Sequence, residues 1–387
     1  MKKRLISLLL MLSTLFLTSC AQTAVLPIAR DIANIQLMRT MALDRGKDGT
    51  VKVTVSGDVR PGGEGGSPQP PIILKQEGAT VFGAALHIQT YGEGYVSFGH
   101  ISQCILSAEA ASYPNAVADL LDFVVRDFET RISTDFYVTE EESAAKIVTE
   151  TASENQSTTQ RLESLRRDFG LESNGWPVTV REFLLDMSDN GCGLVPVLKL
   201  EKNDDGTTIV SSQMAWFQES RFRETLTPAQ SREAAILEEK MESGAVELRL
   251  RDGTTVGLRL TGERCEWEPV WQGDRLTGLN IRVHLTADLA EEQGKADFYR
   301  SEVMDETEQR FNGVIEGQMR ELLHLSQKEG ADFLHIRRRL AVQCPSKHRI
   351  LEENWDEWFP ALDIRLTVAS KIQRSYDIAR VYEEEAQ

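Results

Sequence analysis

Short apolar blocks follow one another through the first half of the chain, and their spacing predicts helices alternating with strands. Helices are predicted at residues 28–43, 80–89, 115–128, 140–148, 157–169 and 178–187. Strands are predicted at residues 51–55, 95–106, 136–138, 194–200 and 209–217. This alternation favours an α/β or α+β layer in which helices pack on a sheet.

The second half has a different pattern, in which strands gather around one long helix. The predicted elements are a helix at residues 228–241, strands at residues 246–250, 255–260 and 279–285, a long helix at residues 296–327 and a last strand at residues 362–368. The last strand shows strict alternation of apolar and polar positions, which is typical of a half-buried strand. The pattern therefore predicts a sheet packed against one long helix.

Length and pattern together predict more than one domain. A chain of 387 residues suggests two or three domains at ~100–200 residues each. We predict an N-terminal domain at residues 28–220, with a division near residues 190–220 left open, and a C-terminal domain at residues 228–380. The predicted fold class is α+β, with mixed sheets packed against helices and a C-terminal unit built on a long helix and an antiparallel sheet.

The chain begins with a pattern typical of an exported lipoprotein. Three basic residues precede an apolar run at residues 5–17, and Cys20 follows two small residues. A charged start and an apolar segment of this length direct secretion, and small residues before a cysteine form a lipoprotein cleavage site. We therefore predict a signal peptide at residues 1–19. The alternative, a retained transmembrane helix, needs ~20 apolar residues, more than this run supplies.

Cys20 is the one site residue that the sequence predicts, as the point of lipid attachment. The mature chain would start at Cys20 and continue as a lipidated tether over residues 20–27. Processing would place a diacylglycerol on this cysteine, with an N-acyl chain as a further modification. Two acyl chains anchor a protein stably where one is marginal. We therefore expect a lipid-anchored protein on the extracytoplasmic face of a membrane.

The acidity of the chain limits its partners. Its formal charge is −17, and removal of the three basic residues of the signal would lower the charge to −20. Such acidity repels phosphate backbones and anionic lipid headgroups, which argues against a nucleic-acid partner.

No catalytic or metal-binding motif is present. The cysteines never form a Cys-x-x-Cys pair, and the histidines lack His-Glu-x-x-His spacing. We therefore predict no catalytic residue, no metal and no cofactor besides the lipid. Cys104 lies in an apolar run and is predicted to be a buried small hydrophobe. Ser97 beside His100 is the nearest approach to a hydrolase, but its glycine spacing is one residue too long for a nucleophile elbow.

Two further clusters each allow two interpretations. The arginine run at residues 337–339 is a basic island in an acidic chain, either a solvated helix face or a contact for an acidic partner or lipid headgroup. Trp355, Trp358 and Phe359 are predicted to belong to the core rather than to a ligand platform, because such rings bury a large area.

Several stretches, taken in order behind the lipoprotein signal, resemble the Ger(x)C lipoprotein family. This family is the C subunit of the nutrient germinant receptors of endospore-forming bacteria. Residues 98–111 look like its Gly-His strand and the acidic start of the next helix, and residues 121–130 and 137–139 continue the match. In the second half, residues 327–332 and 355–360 look like the family's ending, the latter as Trp-x-x-x-Phe-Pro.

The resemblance implies a multi-domain α+β lipoprotein on the outer surface of the spore inner membrane. It also implies assembly with two polytopic subunits, of A type and B type, into a receptor that starts germination in response to a nutrient. The family has no established enzymatic activity, so the resemblance implies a non-enzymatic protein.

Two other functions stay open from the sequence. A lipid-anchored solute-binding protein would need two comparable α/β lobes with a cleft between them, whereas the two halves are predicted to differ. A surface hydrolase would need a nucleophile with its base, and no such pair is evident.

Overall fold

Two sheets organise the part of the chain that the structure describes. The structure is a computed structural model and describes residues 35–60, 67–91, 94–126, 130–153, 156–172, 174–204 and 206–374. The predicted signal peptide, Cys20 and the tether lie outside these residues, as does the end of the predicted C-terminal domain beyond residue 374.

The first sheet is mixed and has a parallel centre. Its ten strands are β1 (Ile35–Arg45), β2 (Val51–Gly57), β3 (Ile73–Gly78), β4 (Tyr95–Ser97), β5 (Gln103–Ser107), β6 (Asp135–Thr139), β7 (Cys192–Asn203), β8 (Gly206–Val210), β9 (Met214–Gln218) and β10 (Arg221–Thr225). They lie in the order β10-β9-β7-β6-β5-β1-β2-β3, with β4 pairing with β1 and β8 with β7. β1, β5, β6 and β7 run parallel, so their carboxyl ends meet at one edge of the sheet.

Helices cover both faces of this sheet. They are α1 (Val81–Tyr91), α2 (Ala108–Ala111), α3 (Ala116–Arg126), α4 (Ala144–Thr151), α5 (Thr158–Glu172) and α6 (Val180–Asn190). Successive residues of a strand point to opposite faces. Cys104 and Leu106 of β5 therefore join the core beneath α1, α3 and α6, while Ile105 joins a second core beneath α4 and α5.

The second sheet packs against one long helix, as the sequence predicts. Its strands are β11 (Gly244–Arg249), β12 (Thr255–Gln272), β13 (Arg275–Gln293) and β14 (Asp363–Arg374), in that order, preceded by α7 (Pro228–Leu237). The long helix α8 (Ser301–Lys328) buries Phe311, Ile315, Met319 and Leu322 along one face. β11, β12 and β13 are antiparallel.

The last strand corrects the prediction of a wholly antiparallel C-terminal sheet. β14 runs parallel to β13, with Gly278 opposite Asp363 and Leu289 opposite Arg374. Parallel neighbours need a long crossover, and α8 with the residues after it supplies one. The α+β fold class with mixed sheets is confirmed.

Two short helices that the sequence analysis did not predict join the two sheets. α9 (Ile336–Gln343) and α10 (His348–Trp358) lie between α8 and β14, and α9 contacts α6 of the first unit. Phe333, just before α9, packs its ring 5.6 Å from that of Trp216 in β9. One apolar core therefore runs through both units.

The predicted helix at residues 28–43 is wrong where the structure describes it, because Ile35–Arg45 forms strand β1. Met38 and Met41 have helical spacing, but β1 lies between β2 and β5 and is buried over most of its length. A strand buried on both faces is apolar nearly throughout and therefore lacks the two-residue alternation.

Two predicted strands are each divided. Residues 95–106 form β4 and β5, separated by a turn in which the Ile101 N–H donates to the Phe98 carbonyl over 3.1 Å. Residues 209–217 contribute to β8 and β9, which pair with successive parts of β7. Both breaks fall where polar residues interrupt the apolar runs, at residues 97–103 and 211–213.

Candidate functional site

A cavity of about 820 Å³ lies where β1 and β5 end, between the β1–β2 turn and helices α1 and α3. We name it the strand-end pocket. Its apolar lining comes from Leu43, Val51, Val81, Phe82, Leu106 and Phe123. Small-molecule sites typically occupy ~300–1,000 Å³ and are mostly apolar, and the carboxyl ends of parallel strands are where open sheets bind ligands.

Local backbone geometry shapes the mouth of this pocket. Gly49, in the turn between β1 and β2, has a φ of 82°, a conformation that other residues adopt at a cost. A Cβ on Gly78 would lie only 2.4 Å from the Ala84 nitrogen, so the end of β3 approaches α1 more closely than any other residue would allow. Thr80 Oγ1 accepts a hydrogen bond from the Gly83 N–H over 3.0 Å and fixes the start of α1.

Five charged residues line the strand-end pocket: Asp44, Arg45, Asp119, Asp122 and Arg126. The Asp44 carboxylate is buried and accepts the N–H groups at the start of α4, over 2.6 and 3.0 Å. Asp122 and Arg126 pair with each other across one turn of α3, over 2.5 Å. The Arg45 guanidinium lies over the Tyr113 ring, 3.4 Å from its centroid.

A second group of polar residues lies at the meeting point of α6, α7 and α9. We name it the junction cluster, and it consists of Asp186, Glu238, Asp332, His335, Arg338 and Arg339. His335 Nε2 is 3.1 Å from Asp186 Oδ1 and His335 Nδ1 is 3.4 Å from Glu238 Oε1. Arg339 reaches Glu238 over 3.5 Å, and Arg338 reaches Asp186 over 3.7 Å. The cluster therefore ties the first unit to the second.

Asp332 and His335 begin α9 within this cluster. The Asp332 carboxylate accepts the N–H groups of Ile336 and Arg337, each over 2.8 Å. His335 has a φ of 53°, in the left-handed region, where histidine is enriched among non-glycine residues. Together they turn the chain sharply from the end of α8 into α9.

Burial and charge shift the pKa values of the cluster in opposite directions. Burial would lower the pKa of His335, but the Asp186 and Glu238 carboxylates outweigh burial and raise that pKa to about 10. Burial would raise the pKa of Glu238, but contact with His335 and Arg339 lowers it. Burial raises the pKa of Asp332 to about 7, although the hydrogen bonds that it accepts from the Ile336 and Arg337 N–H groups act to lower it. His335 is therefore a buried cation at neutral pH.

This arrangement lacks a nucleophile. Cys265 and His335 line a common cavity of about 530 Å³, but burial and the nearby Glu239 raise the pKa of the Cys265 thiol to about 12. The thiol donates to the Ile236 carbonyl over 3.3 Å. A protonated thiol is a poor nucleophile, so these contacts support a structural role.

Comparison with known families gives matches in both halves of the chain. Residues 29–200 match the family model described as "Spore germination protein N-terminal domain". Residues 212–376 match the model described as "Spore germination B3/ GerAC like, C-terminal". The chain belongs to the GerAC-like spore germination protein family. No curated protein sequence matches it significantly.

The GerAC-like assignment agrees with a solved structure of the same fold. The crystal structure of the GerBC protein matches with a TM-score of 0.56 and 15% sequence identity, covering 86% of this chain and 96% of that chain. At this identity the comparison concerns the fold alone. It supports the mixed α+β architecture described above.

The structure brings together two of the stretches that carry the GerAC-like resemblance. The Gln327 side chain, at the end of α8, donates to the carbonyls of Phe359 and Leu362, each over 2.9 Å. Trp355 stacks on Phe359 with 5.1 Å between ring centroids. Trp355, Trp358 and Phe359 are 6%, 9% and 1% exposed, which confirms that they belong to the core.

The remaining sequence candidates have varied outcomes. Cys20 lies outside the described residues. Cys104 is buried, as predicted. Ser97 Oγ accepts a hydrogen bond from the Gly99 N–H over 3.4 Å, and His100 is exposed. Among the residues that the structure describes, no group of three or more potential ligands is arranged to hold a metal ion.

The arginine run corrects one interpretation. The Arg337 and Arg339 side chains are only 12% and 21% exposed, so they do not form a solvated helix face. Their acidic partners belong to this chain, as Arg337 binds Asp189 of α6. Only Arg338, 54% exposed, fits the predicted solvated face.

Sequence reasoning missed the junction cluster. Asp186 and Glu238, which contact His335, lie far from it in the chain, and only the basic run gave a signal.

Proposed function

We propose that this protein is the lipid-anchored C subunit of a nutrient germinant receptor and acts without catalysis, by assembling with polytopic A-type and B-type subunits. The observation that carries the proposal is the pair of family matches, which together span residues 29–376 except for residues 201–211.

Membrane attachment through Cys20 is the second part of the proposal. The sequence before the described residues has a charged start, an apolar run and a cysteine after small residues, a pattern typical of lipoprotein signals. Within the described ranges, no helix is long and apolar enough to span a bilayer. The diacylglycerol on Cys20 would hold the body on the extracytoplasmic face of the spore inner membrane.

The absence of catalysis is the third part. The titratable side chains of the junction cluster are engaged in ion pairs and a helix cap. The neighbouring Cys265 thiol is held protonated. These contacts support a protein that binds partner subunits and does not catalyse a reaction.

Affinity capture from spore membranes tests the proposal. A tagged version of the full chain would be solubilised in mild detergent and its partners identified by mass spectrometry. Two polytopic proteins in near-equal amounts are expected. Capture of a transporter with an ATPase would instead favour the solute-binding alternative, and capture of no membrane protein would overturn the receptor proposal.

A further inference from the structure

We propose that the strand-end pocket binds a small zwitterion with an apolar body. Two sources share this chemistry: a free amino acid with a large apolar side chain, and a short apolar peptide with free termini. The proposal concerns the folded chain by itself, so it can be tested independently of the assembly with membrane subunits.

The charge inventory of the pocket carries the proposal. Of the five charged residues that line it, Asp44 already accepts hydrogen bonds from the N–H groups at the start of α4. Asp122 and Arg126 neutralise each other. Within the described chain, Arg45 and Asp119 are then the charged lining residues without an ion-pair partner. One cation and one anion in the same cavity match a ligand that carries one carboxylate and one ammonium group.

Arg45 is oriented for carboxylate recognition. Its guanidinium lies 3.4 Å from the centroid of the Tyr113 ring, an arrangement that fixes the plane of the group and leaves its N–H edge available. A guanidinium held in this way can donate two parallel hydrogen bonds to a carboxylate. The start of α1, which also lines the pocket, adds partial positive charge.

Apolar side chains provide the surface for the body of the ligand. Leu43 of β1, Leu106 of β5 and Phe123 of α3 are apolar lining residues. Phe82 also lines the pocket and lies at the surface of α1, where it is 56% exposed. Leu86, on the next turn, and Val125 of the neighbouring α3 are 51% and 53% exposed. A ligand with an apolar body would cover part of this surface and remove it from water.

Calorimetric titration of the full chain in mild detergent tests the proposal, with the heats of empty micelles subtracted. The probes are L-leucine, L-phenylalanine, trileucine with free termini, and trileucine blocked by N-acetylation and C-amidation. Saturable binding is expected for at least one zwitterion. Binding of L-leucine or L-phenylalanine would identify a free amino acid as the ligand. Binding of free trileucine without binding of either amino acid would identify a short peptide. Blocking both termini of trileucine is expected to weaken any trileucine binding by about tenfold or more, since hydrogen bonds to charged groups are lost.

Two variants assign the charges, and two others serve as controls. Arg45→Gln is expected to weaken binding of the free ligand by about tenfold, and Asp119→Asn by a similar factor, while neither further weakens the blocked peptide. Arg310→Gln and Asp305→Asn change the same residue types at exposed positions of α8 and should leave binding unchanged. Melting curves establish that each variant is folded.

Three results would overturn the proposal. They are no saturable heat with any of the three zwitterions, equal affinity for free and blocked trileucine, and unchanged affinity in both pocket variants. The comparison of free and blocked peptide uses the unaltered chain, so it remains decisive even where a variant fails to fold.

Discussion

His335 combines burial, a left-handed backbone and contact with two carboxylates. Its side chain is 9% exposed, between Asp186 and Glu238, which are themselves 15% and 7% exposed. Two carboxylates in such a position repel each other and are poorly solvated, so they need a cation to stay ionised. The imidazolium of His335 supplies this positive charge and allows α6, α7 and α9 to pack together.

Replacing His335 by asparagine should destabilise the fold. Asparagine tolerates the left-handed conformation, so His335→Asn removes the charge while keeping the turn. We expect a loss of about 3 kcal/mol in the free energy of unfolding, because Asp186 and Glu238 lose the cation that lies between them. Urea denaturation followed by tryptophan fluorescence measures the loss.

His348→Asn is the matched control for this prediction. His348 is 59% exposed and reaches Glu352 only over 3.9 Å at the surface of α10, so its replacement should have little effect. Equal stability of the two variants would contradict the structural role of the junction cluster.

The contribution of His335 should also depend on pH. Its pKa is raised from 6.5 to about 10 in the folded chain. A group with a raised pKa stabilises the fold fully below its unfolded pKa and loses that contribution as pH rises through the folded value. The difference in unfolding free energy between the unaltered chain and His335→Asn should therefore be largest at pH 6.5 and below. It should shrink as pH rises from 6.5 through 10, and a constant difference in urea denaturation over that range would argue against the raised pKa.

Single residues were predictable from the sequence only where their neighbours in the chain define their environment. Cys104 lies within a continuous apolar run, so its burial follows from local sequence. The partners of His335 come from α6 and from the end of α7. No local pattern encodes such a contact, and the role of His335 therefore emerged only from the fold.

At the scale of elements, α9 is a short helix whose position depends on its polar contacts. It has eight residues, of which only Ile336 and Leu340 are buried. Isolated helices of this length are marginal in water. Its start is capped by Asp332, and Arg337 connects it to the end of α6 through Asp189 and Asn190.

Arg337→Ala should therefore weaken the attachment of α9. The Arg337 side chain is 12% exposed and donates to Asp189 Oδ1 over 3.2 Å and Asn190 Oδ1 over 3.3 Å. We expect a loss of about 2 kcal/mol in unfolding free energy, the range for hydrogen bonds that involve charged groups. Arg349→Ala is the control, because Arg349 is 86% exposed and pairs with Glu353 one turn away on the same helix. Thermal melting of the two variants measures the loss. Equally small decreases in melting temperature for both variants would contradict this prediction.

Elements with one buried face were predicted well, and β6 and β7 were located although both faces are buried, whereas β1 was not. The face of α8 that carries Phe311, Ile315 and Met319 has clear helical spacing and was located from sequence. β1 has no exposed face over most of its length, so its apolar residues carry no two-residue alternation, and their spacing predicts a helix instead. The strand-end pocket was not predictable, since it requires the ends of β1 and β5 to be adjacent.

At the scale of the whole molecule, the two units differ in architecture but share one core. A ten-stranded mixed sheet and a four-stranded sheet are joined through α7, α9 and the Trp216–Phe333 contact. These sheets do not resemble the two comparable lobes that a solute-binding protein would need. The shared core makes the two units one packed body.

The proposed lipid anchor gives the last prediction. Cys20→Ala should abolish incorporation of labelled palmitate and release the folded body from spore membranes into the soluble fraction after a high-salt wash. The retained signal would not substitute for the lipid, because its apolar run at residues 5–17 is shorter than the ~20 residues that span a bilayer. Cys344→Ala is the control, since Cys344 is a partly exposed free thiol in the body and its loss should change neither labelling nor partition. If the Cys20→Ala protein stayed in the membrane without label, contacts with partner subunits would have to hold it there, and lipid would not be its main attachment.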